Sequence, residues 1–185
     1  MKNDEKSIKS FLAQYELETK PFSKKEKRAS KTPDFRVFQR AKFVFFCEVK
    51  SIRKDTWESG LRNDPIYNRL TDDIHTAVKQ FDSVNPSIGH PNVLAIVNHD
   101  EKCGALDLYA VITGTALVED GPPLPIFLQF SEGRIKEEKL RIHLFIWLDD
   151  YRPKKILFNP THKMHHHALC KCFSIDPNSI KTVGS

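Results

Sequence analysis

Asp34, Glu48 and Lys50 are the residues of this chain whose types and spacing best suit chemistry. Glu48 and Lys50 lie two positions apart in the segment 43–52, FVFFCEVKSI, and Asp34 begins the preceding segment 34–38, DFRVF. Residues two apart in a strand point to the same side, so Glu48 and Lys50 share one face. Two neighbouring carboxylates repel each other unless a positive charge lies between them, and such a pair suits a hard divalent cation such as Mg²⁺. The adjacent ammonium can hold a phosphate or an attacking water.

The register of the two segments decides whether the acids meet. The polar residues between them, QRAK, are few, which predicts a hairpin. A turn at QRAK pairs Phe38 with Phe43. Counting back from that pair places Asp34 opposite Cys47, and a one-residue change of register places it opposite Glu48 instead. In either register the two acids are cross-strand neighbours, roughly 4.5–8 Å apart, and the sequence leaves the choice open.

A solvated strand face is the alternative explanation of these charges. Charged side chains are common on the exposed faces of sheets, where Glu48 and Lys50 would form a surface ion pair. The run FVFFC that precedes them is apolar on both faces, however. A strand that is apolar on both faces is typical of a protein interior, so we expect its polar end to open into a cleft.

The same residues resemble the PD-(D/E)XK nuclease superfamily, which has the restriction-endonuclease-like fold. The stretches TPD (32–34) and EVK (48–50) match its short motif, in which the aspartate starts one strand of a hairpin and the E-x-K lies on the next. The helix that ends in AVKQF (77–81) and the aliphatic strand VLAIV (93–97) occur where the superfamily core has its later helix and strand. The resemblance covers about residues 1–100. Its specificity comes from the placement of the motif on a hairpin between helices.

The resemblance implies a metal-dependent phosphodiesterase. Asp34 and Glu48 would ligate Mg²⁺ or Mn²⁺, with the Val49 carbonyl as a further ligand. Lys50 would orient the attacking water and stabilise the transition state. Gln80 occupies a position on the later helix where some members of the superfamily carry a glutamine that contacts the site.

Three classes of function are therefore open. A nuclease that hydrolyses phosphodiester bonds is favoured, with DNA as the substrate because most members of the superfamily cut DNA. The alternative is a catalytically inactive nucleic-acid-binding or assembly module with the same fold, although the presence of all three motif residues argues against it. The third is a structural or interaction protein in which the hairpin charges are incidental. A homodimer would suit double-strand cutting, but no residue pattern indicates an interface.

Two further sets of charged residues accompany the motif. The superfamily often places another acid on its first helix, and the sequence does not choose among four glutamates, Glu5, Glu16, Glu18 and Glu26. Basic residues lead into Asp34 and follow Lys50, where they are expected to contact phosphates in a salt-sensitive way. These basic residues are Lys24, Lys25, Lys27, Arg28, Lys31, Arg53 and Lys54. A charge run is more often a solvated face, and only its position beside the acids favours binding.

The segment 165–172, HHHALCKC, contains residue types that bind zinc. Its spacing matches no usual zinc module, and three consecutive histidines cannot converge on one ion from regular structure. We therefore expect no zinc site there. Cys47 lies on the apolar face of its strand and is expected to pack in the core.

The elements that must position these residues follow from the spacing of apolar side chains. We predict helices over 4–16, 69–84 and 104–115, a short helix within 165–181, strands over 34–38, 43–52, 92–100, 142–148 and 155–158, and a loop over 52–70. Interleaved helices and strands indicate an α/β or α+β sheet covered by helices. The resemblance narrows this to a restriction-endonuclease-like core, a mixed central sheet flanked by helices with αβββαβ-type order. We expect a single domain over 1–185, with the motif in 31–100 and residues 101–185 completing or decorating the sheet.

Composition sets the outer limits. A chain of 185 residues, 39% hydrophobic and 29% charged, suits one packed domain. Its net charge of +5 permits a polyanionic partner without requiring one. No apolar run approaches the ~20 residues that span a bilayer, and the N-terminal residues lack the hydrophobic region of a signal peptide. The four cysteines form no regular framework, so a cytoplasmic protein with reduced thiols and no membrane contact is expected.

Overall fold

The site is held by a central sheet with helices on both faces, seen in a computed structural model that describes residues 2–54, 65–117, 121–126 and 135–180. The helices are α1 (Lys2–Ala13), α2 (Lys24–Ala29), α3 (Pro65–Val84), α4 (Ala105–Thr113) and α5 (His166–Cys172), with 3₁₀ turns at Lys136–Arg141 and Pro177–Ser179. The strands are β1 (Leu17–Pro21), β2 (Phe35–Gln39), β3 (Lys42–Ile52), β4 (Asn92–Asn98), β5 (Thr115–Ala116), β6 (Leu124–Pro125), β7 (Leu144–Asp149) and β8 (Lys155–Phe158).

The main sheet has six strands in the order β1-β2-β3-β4-β7-β8. The three central strands, β3, β4 and β7, are parallel, and the pairs β1–β2, β2–β3 and β7–β8 are antiparallel. Strands β5 and β6 form a separate antiparallel pair. The predicted class, an α/β fold with a mixed sheet flanked by helices, is confirmed.

Every residue of β4 is buried, because helices cover both faces of the sheet. Helices α1 and α5 supply Ile8, Leu12 and Leu169 to the apolar cluster on one face, and α3 and α4 supply Phe81 and Leu108 to the cluster on the other. Burying a side chain of this size contributes roughly 1.5–3 kcal/mol, so these two layers fix the positions of β3 and α3.

Strand β3 divides its side chains between the two layers, as its alternation predicts. Phe46 and Ile52 pack in the α3 layer, whereas Phe45, Cys47 and Val49 pack in the α1 layer. The residues between Phe46 and Ile52 on the α3 side are the polar ones, Glu48 and Lys50. A polar pair is thereby placed at the end of a buried strand, where it meets α3.

The β2–β3 hairpin has a two-residue turn and one irregularity. Arg40 and Ala41 both adopt positive φ angles, of 49° and 64°, which is the backbone of a type I′ turn. Phe38 pairs with Phe43 as predicted, but the register shifts between Val37 and Phe38, so that Phe35 pairs with Cys47.

This bulge resolves the two open registers. Because Phe35 lies opposite Cys47, the residue before it, Asp34, falls beside Glu48. The simple count from the turn, which placed Asp34 opposite Cys47, is wrong, since it did not include the extra residue in β3.

Several element boundaries differ from the predictions. The first helix ends at Ala13, and a strand, β1, follows at Leu17–Pro21 where none was predicted. The basic segment forms a short helix, α2. The predicted loop over 52–70 is wrong for its last part, because α3 begins at Pro65; positions 55–64 lie outside the described residues. The strand predicted to reach residue 100 ends at Asn98.

The four cysteines, Cys47, Cys103, Cys170 and Cys172, are buried thiols without disulfides. Burial raises the pKa of Cys103 to about 12 and that of Cys47 well above its usual value, so both stay protonated and unreactive near neutral pH.

The described helices include none with the length and apolar content needed to cross a membrane.

Candidate functional site

An open cleft of about 480 Å³ lies where β2 begins, β3 ends and α3 passes over the sheet. Its lining residues are Asp34, Glu48, Val49, Lys50, Ser51, Arg53, Asp73 and Gln80. All of the residues that the sequence proposed for catalysis or metal binding are in this set. They come from three elements and are separated by up to 46 positions in the chain, so only the folded sheet brings them together.

Asp34 and Glu48 are held side by side through the backbone. The Asp34 N–H donates to Glu48 Oε2 at 3.1 Å, and the Val49 N–H donates to Asp34 Oδ2 at 2.9 Å. A strand residue directs its N–H and C=O to the same side, so the Val49 carbonyl faces Asp34 as well. Each carboxylate therefore has one oxygen fixed by a backbone donor.

Lys50 joins the acid pair to α3. Its Nζ donates to Glu48 Oε1 at 2.8 Å and to Gln80 Oε1 at 3.2 Å. Gln80 Nε2 in turn donates to the Thr32 carbonyl at 3.2 Å, and Ser83 Oγ donates to the Lys31 carbonyl. These bonds attach the segment that leads into Asp34 to the surface of α3. Gln80 thus positions the site from the helix that the sequence predicted.

Glu48 is a buried carboxylate whose ionised form is disfavoured. Its side chain is only 3% exposed, and burial, followed by the negative charge of Asp34, raises its pKa to about 7. Lys50 opposes this rise but does not cancel it. A second positive charge between the two acids would favour the ionised form, which is the electrostatic condition for binding a cation.

The donors present fit Mg²⁺ better than a metal that needs many protein ligands. The described residues contain no group of three or more His, Cys, Asp or Glu side chains that could hold a metal ion. Mg²⁺ is usually bound through one or two carboxylates, several waters and substrate phosphates. Asp34, Glu48 and the Val49 carbonyl are the oxygen ligands that would hold it here.

Asp73 is a cleft residue that the sequence interpretation missed. It lies on α3 seven residues before Gln80, which is two helical turns and therefore the same face. Its Oδ2 is buried and has no hydrogen-bond partner among the described residues. Burial raises the pKa of Asp73 to about 6, and the positive charges of Lys50 and Arg69 oppose the rise. The spacing from Gln80 was the signal that could have identified it.

We expect Asp73→Asn to stabilise the metal-free protein at alkaline pH. The pKa of Asp73 rises from 3.8 to about 6 on folding, so wild-type stability is lost as pH increases through this window. Removing the charge should raise the free energy of unfolding by up to about 3 kcal/mol at pH 8. Urea denaturation at pH 8 and pH 4.5 measures this, and the gain should be small at pH 4.5, where the wild-type carboxyl is also protonated.

A second charged network lies on the α1 side of β3. Asp4, 3% exposed, accepts hydrogen bonds from Ser51 Oγ and Arg53 Nη2, each at 2.6 Å. Its Oδ1 lies 3.0 Å from His99 Nε2, and His99 Nδ1 lies 2.6 Å from Asp150 Oδ2. Burial raises the pKa of Asp4, but the bonds from Ser51 and His99 outweigh this and the net shift is downward.

Asp4 is therefore the first-helix acid that approaches the cleft, through Ser51 and Arg53. None of the four glutamates considered from the sequence lines the cleft. Glu16 and Glu18 lie beyond the end of α1, and Glu26 belongs to α2. Asp4 precedes Ile8 by four positions and so shares the buried face of α1, a signal that was present in the sequence.

Helix α2 contains four of the seven basic residues that the sequence proposed for phosphate contacts. Ser23 caps it, donating its N–H to Glu26 Oε2 at 2.8 Å and accepting from the Glu26 N–H. Glu26 Oε1 also binds Arg36 of β2 at 2.5 Å, and the Arg36 guanidinium lies 3.9 Å above the Phe22 ring. The bond from Arg36, followed by those from Ser23, lowers the pKa of Glu26 to about 2. The orientation of α2 on the sheet is thereby fixed.

The seven basic residues divide into two groups. Within the described part of the chain, the cations on α2 and Lys31 are exposed and make no ion pair; these are Lys24, Lys25, Lys27, Arg28 and Lys31. By contrast, Arg53 binds Asp4 and Lys54 lies 3.4 Å from Glu101. The first group is available for phosphate contacts, and the second is partly neutralised.

The histidines and cysteines of the segment 165–172 have different environments. Cys170 and Cys172 are buried, whereas the His165 ring lies near His143, at 4.9 Å between centroids. His143 is also 5.1 Å from His162. This group of imidazoles lies where β4 and β7 begin, and none of its members lines the cleft.

Comparison of the chain with protein-family models, curated proteins and solved structures gave no match. Membership of the PD-(D/E)XK superfamily is thus not shown by similarity. The residues of the cleft therefore carry the chemical inference. They are an acid pair, a lysine bound to one of the acids, and a glutamine on α3 that accepts a hydrogen bond from the lysine.

Proposed function

We propose that this protein is a divalent-cation-dependent nuclease of the PD-(D/E)XK type that hydrolyses phosphodiester bonds, with DNA as the favoured substrate. The observation that carries the proposal is the junction of Asp34, Glu48 and Lys50 in one cleft, with Lys50 bound directly to Glu48. A close acid pair with one buried member needs a positive charge, and a cleft open to solvent lets that charge also contact a phosphate.

The element order supports this proposal. Apart from the short α2, the first six elements are α1, β1, β2, β3, α3 and β4. This is the αβββαβ order that the restriction-endonuclease-like core requires, with the two acids on the β2–β3 hairpin and Gln80 on the following helix.

Each side chain has a defined role in the proposed reaction. A bound Mg²⁺ would lower the pKa of an attacking water and neutralise charge on the phosphate oxygens. Asp34 and Glu48 are the side chains that would hold this cation. Lys50 places its ammonium where negative charge develops on the phosphate, and Gln80 fixes the Lys50 side chain. Because the Glu48 side chain is only 3% exposed, its interaction with a bound cation would be screened less than that of a surface carboxylate.

Substrate approach is assigned to α2. The exposed cations of α2 precede Asp34 by only a few residues in the chain. A phosphate backbone bound to them would therefore extend towards the cleft. Contacts of this kind are independent of base sequence. No described element has the arrangement of a base-reading helix, which favours cleavage with little sequence preference.

The α2 assignment predicts a change in salt dependence. Replacing Lys24, Lys25 and Lys27 by glutamine should lower the slope of log affinity against log salt by as much as about 2–3, since each lost phosphate contact contributes about 0.9. Fluorescence titration of a labelled duplex without divalent cations measures the slope.

The matched control for α2 carries the same loss of charge elsewhere. Glutamine replacements at Lys154, Lys163 and Lys171, which are exposed outside α2, should lower affinity slightly at most. Equal effects of the two triple variants would show that net charge, rather than α2, determines binding.

Cleavage of a labelled duplex and a supercoiled plasmid tests the function itself. We expect products with Mg²⁺ or Mn²⁺ and none with EDTA, and we expect Asp34→Asn to remove cleavage while Asp72→Asn, at an exposed position on α3, keeps it. Calorimetry with Mg²⁺ tests the ligand set separately. Nucleic-acid binding without cleavage in the wild type would favour the inactive module, and cleavage by Asp34→Asn at the wild-type rate would refute the proposed site.

A further inference from the structure

We propose that Asp73 is a positioning residue that receives the Lys50 ammonium when a divalent cation engages Glu48. This inference rests on the proposed function and goes beyond the acid pair, the lysine and the glutamine of the motif. It assigns a role to a half-buried carboxylate, one of whose oxygens is buried without a hydrogen-bond partner among the described residues.

The position of Asp73 supports this role. It lines the same cleft as Lys50, Glu48 and Gln80, and it projects from the same face of α3 as Gln80. The positive charge of Lys50 is the largest of the effects that favour its ionised form. A carboxylate and an ammonium of opposite charge therefore line the same cleft.

The Lys50 ammonium has one more N–H donor than its bonds to Glu48 and Gln80 use. An ammonium has three N–H donors, and those of Lys50 reach Glu48 Oε1 at 2.8 Å and Gln80 Oε1 at 3.2 Å. The third N–H makes no hydrogen bond with the acid pair or with Gln80. Asp73 Oδ2 is a buried acceptor without a donor among the described residues, so donor and acceptor capacity are matched within one cleft.

Cation binding would change the balance between these partners. A divalent cation attracts Glu48 Oε1 and repels the ammonium that now holds it. Lys50 must then find another anionic partner or lose its fixed position. Asp73 supplies that partner from α3, while Gln80 keeps its bond to Nζ. The lysine would thus leave Glu48 and stay in the cleft, where a phosphate would lie.

Two simpler roles fit Asp73 less well. A third ligand of the same cation would have to converge with Asp34 and Glu48, and the described residues contain no such group of three. A purely structural carboxylate would be expected to use its buried oxygen in a hydrogen bond, since an unsatisfied one destabilises the fold.

Kinetics with Asp73→Asn, Asp73→Glu and Asp72→Asn test the proposal. We expect Asp73→Asn to lower kcat about 10–100-fold with little change in KM for DNA, Asp73→Glu to restore much of the loss, and the exposed control Asp72→Asn to behave as wild type. Calorimetry should give a Mg²⁺ affinity for Asp73→Asn close to that of wild type. Because Asp73→Asn is expected to be the more stable protein, a loss of kcat cannot be attributed to unfolding.

Coupling to Lys50 distinguishes positioning from a general effect. In a Lys50→Met background, Asp73→Asn should have no further effect on kcat, since the group it positions is gone. Without DNA, the ¹⁵N-lysine spectrum gives a second readout. On addition of Mg²⁺ the Lys50 ammonium signal should stay sharp in wild type and broaden in Asp73→Asn.

The outcomes separate the two levels of inference. Wild-type cleavage with an equally active Asp73→Asn overturns the positioning role and leaves the nuclease proposal standing, as would additive effects in the double variant. Loss of Mg²⁺ binding in Asp73→Asn makes Asp73 a ligand and also overturns it. A wild type that neither binds Mg²⁺ nor cleaves refutes both proposals.

Discussion

A Lys50→Met variant is expected to bind Mg²⁺ at least as tightly as the wild type while cleaving DNA roughly 10²–10³-fold more slowly. Lys50 competes with a cation for Glu48 Oε1, because its Nζ lies 2.8 Å from that oxygen. Removing the ammonium frees the ligand but also removes the positive charge that would stabilise the reacting phosphate. Single-turnover cleavage and calorimetric titration with Mg²⁺ measure the two effects on the same protein.

The same variant should show stability that depends on the cation. Without Lys50, Glu48 is a buried carboxylate beside Asp34 with no positive partner, and breaking a buried ion pair costs roughly 3–5 kcal/mol. Mg²⁺ replaces the missing charge, so the thermal transition of Lys50→Met should rise with Mg²⁺ more than that of wild type.

Lys171→Met is the control for these measurements. Lys171 is exposed on α5, outside the cleft and outside the basic residues of α2, so little change in cleavage or stability is expected. Wild-type cleavage by Lys50→Met would contradict the role of the ammonium. Weaker Mg²⁺ binding by this variant would contradict competition for Glu48.

The second large effect concerns the histidine group His143, His162 and His165, which lies where β4 and β7 begin. His143 is fully buried, and its Nδ1 accepts a hydrogen bond from the Asn92 N–H at 3.0 Å. The neutral ring therefore carries its proton on Nε2. Protonating Nδ1 would set a donor against the Asn92 donor, in a buried site close to His162 and His165.

Burial, with the neighbouring histidines His165 and His162, lowers the pKa of His143 from 6.5 to about 3. Burial lowers those of His162 and His166 as well. A histidine whose folded-state pKa is depressed contributes stability above its unfolded-state pKa, and this contribution is lost as pH falls below 6.5. For His143 alone the loss is about 2 kcal/mol by pH 5 and continues until about pH 3.

Comparison of wild type with His143→Gln isolates this effect. Glutamine keeps an acceptor near the Asn92 N–H but cannot gain a proton, so the free energy of unfolding of the variant should fall less between pH 7 and pH 5. Glu48 and Asp73 titrate in the opposite direction, but they are present in both proteins and cancel in the comparison. His167→Gln, at an exposed position on α5, should keep the wild-type slope. An unchanged slope in His143→Gln would exclude this ring as the source of acid sensitivity.

The sequence by itself determined the faces and most of the elements. The alternation in FVFFCEVKSI placed Glu48 and Lys50 on one side of β3, and the helical spacing of apolar residues placed Gln80 on a helix. Both results follow from local geometry, since the periods of strands and helices fix which side chains share a surface. That the helix carrying Gln80 contacts the site was implied only by the superfamily resemblance. The paired charges then indicated the chemistry.

Tertiary structure decided what depends on distances between elements. The bulge after Val37 chose the register that sets Asp34 beside Glu48, and bulges depend on the fit of the whole sheet rather than on the turn. Asp73 becomes a cleft residue only because the part of α3 between Asp73 and Gln80 lies over the end of β3. Asp4 meets His99 across 95 positions of sequence, and His143 is buried by segments that follow it in the chain. Local periodicity gives the direction of a side chain, but its burial and its partners are set by packing between distant segments.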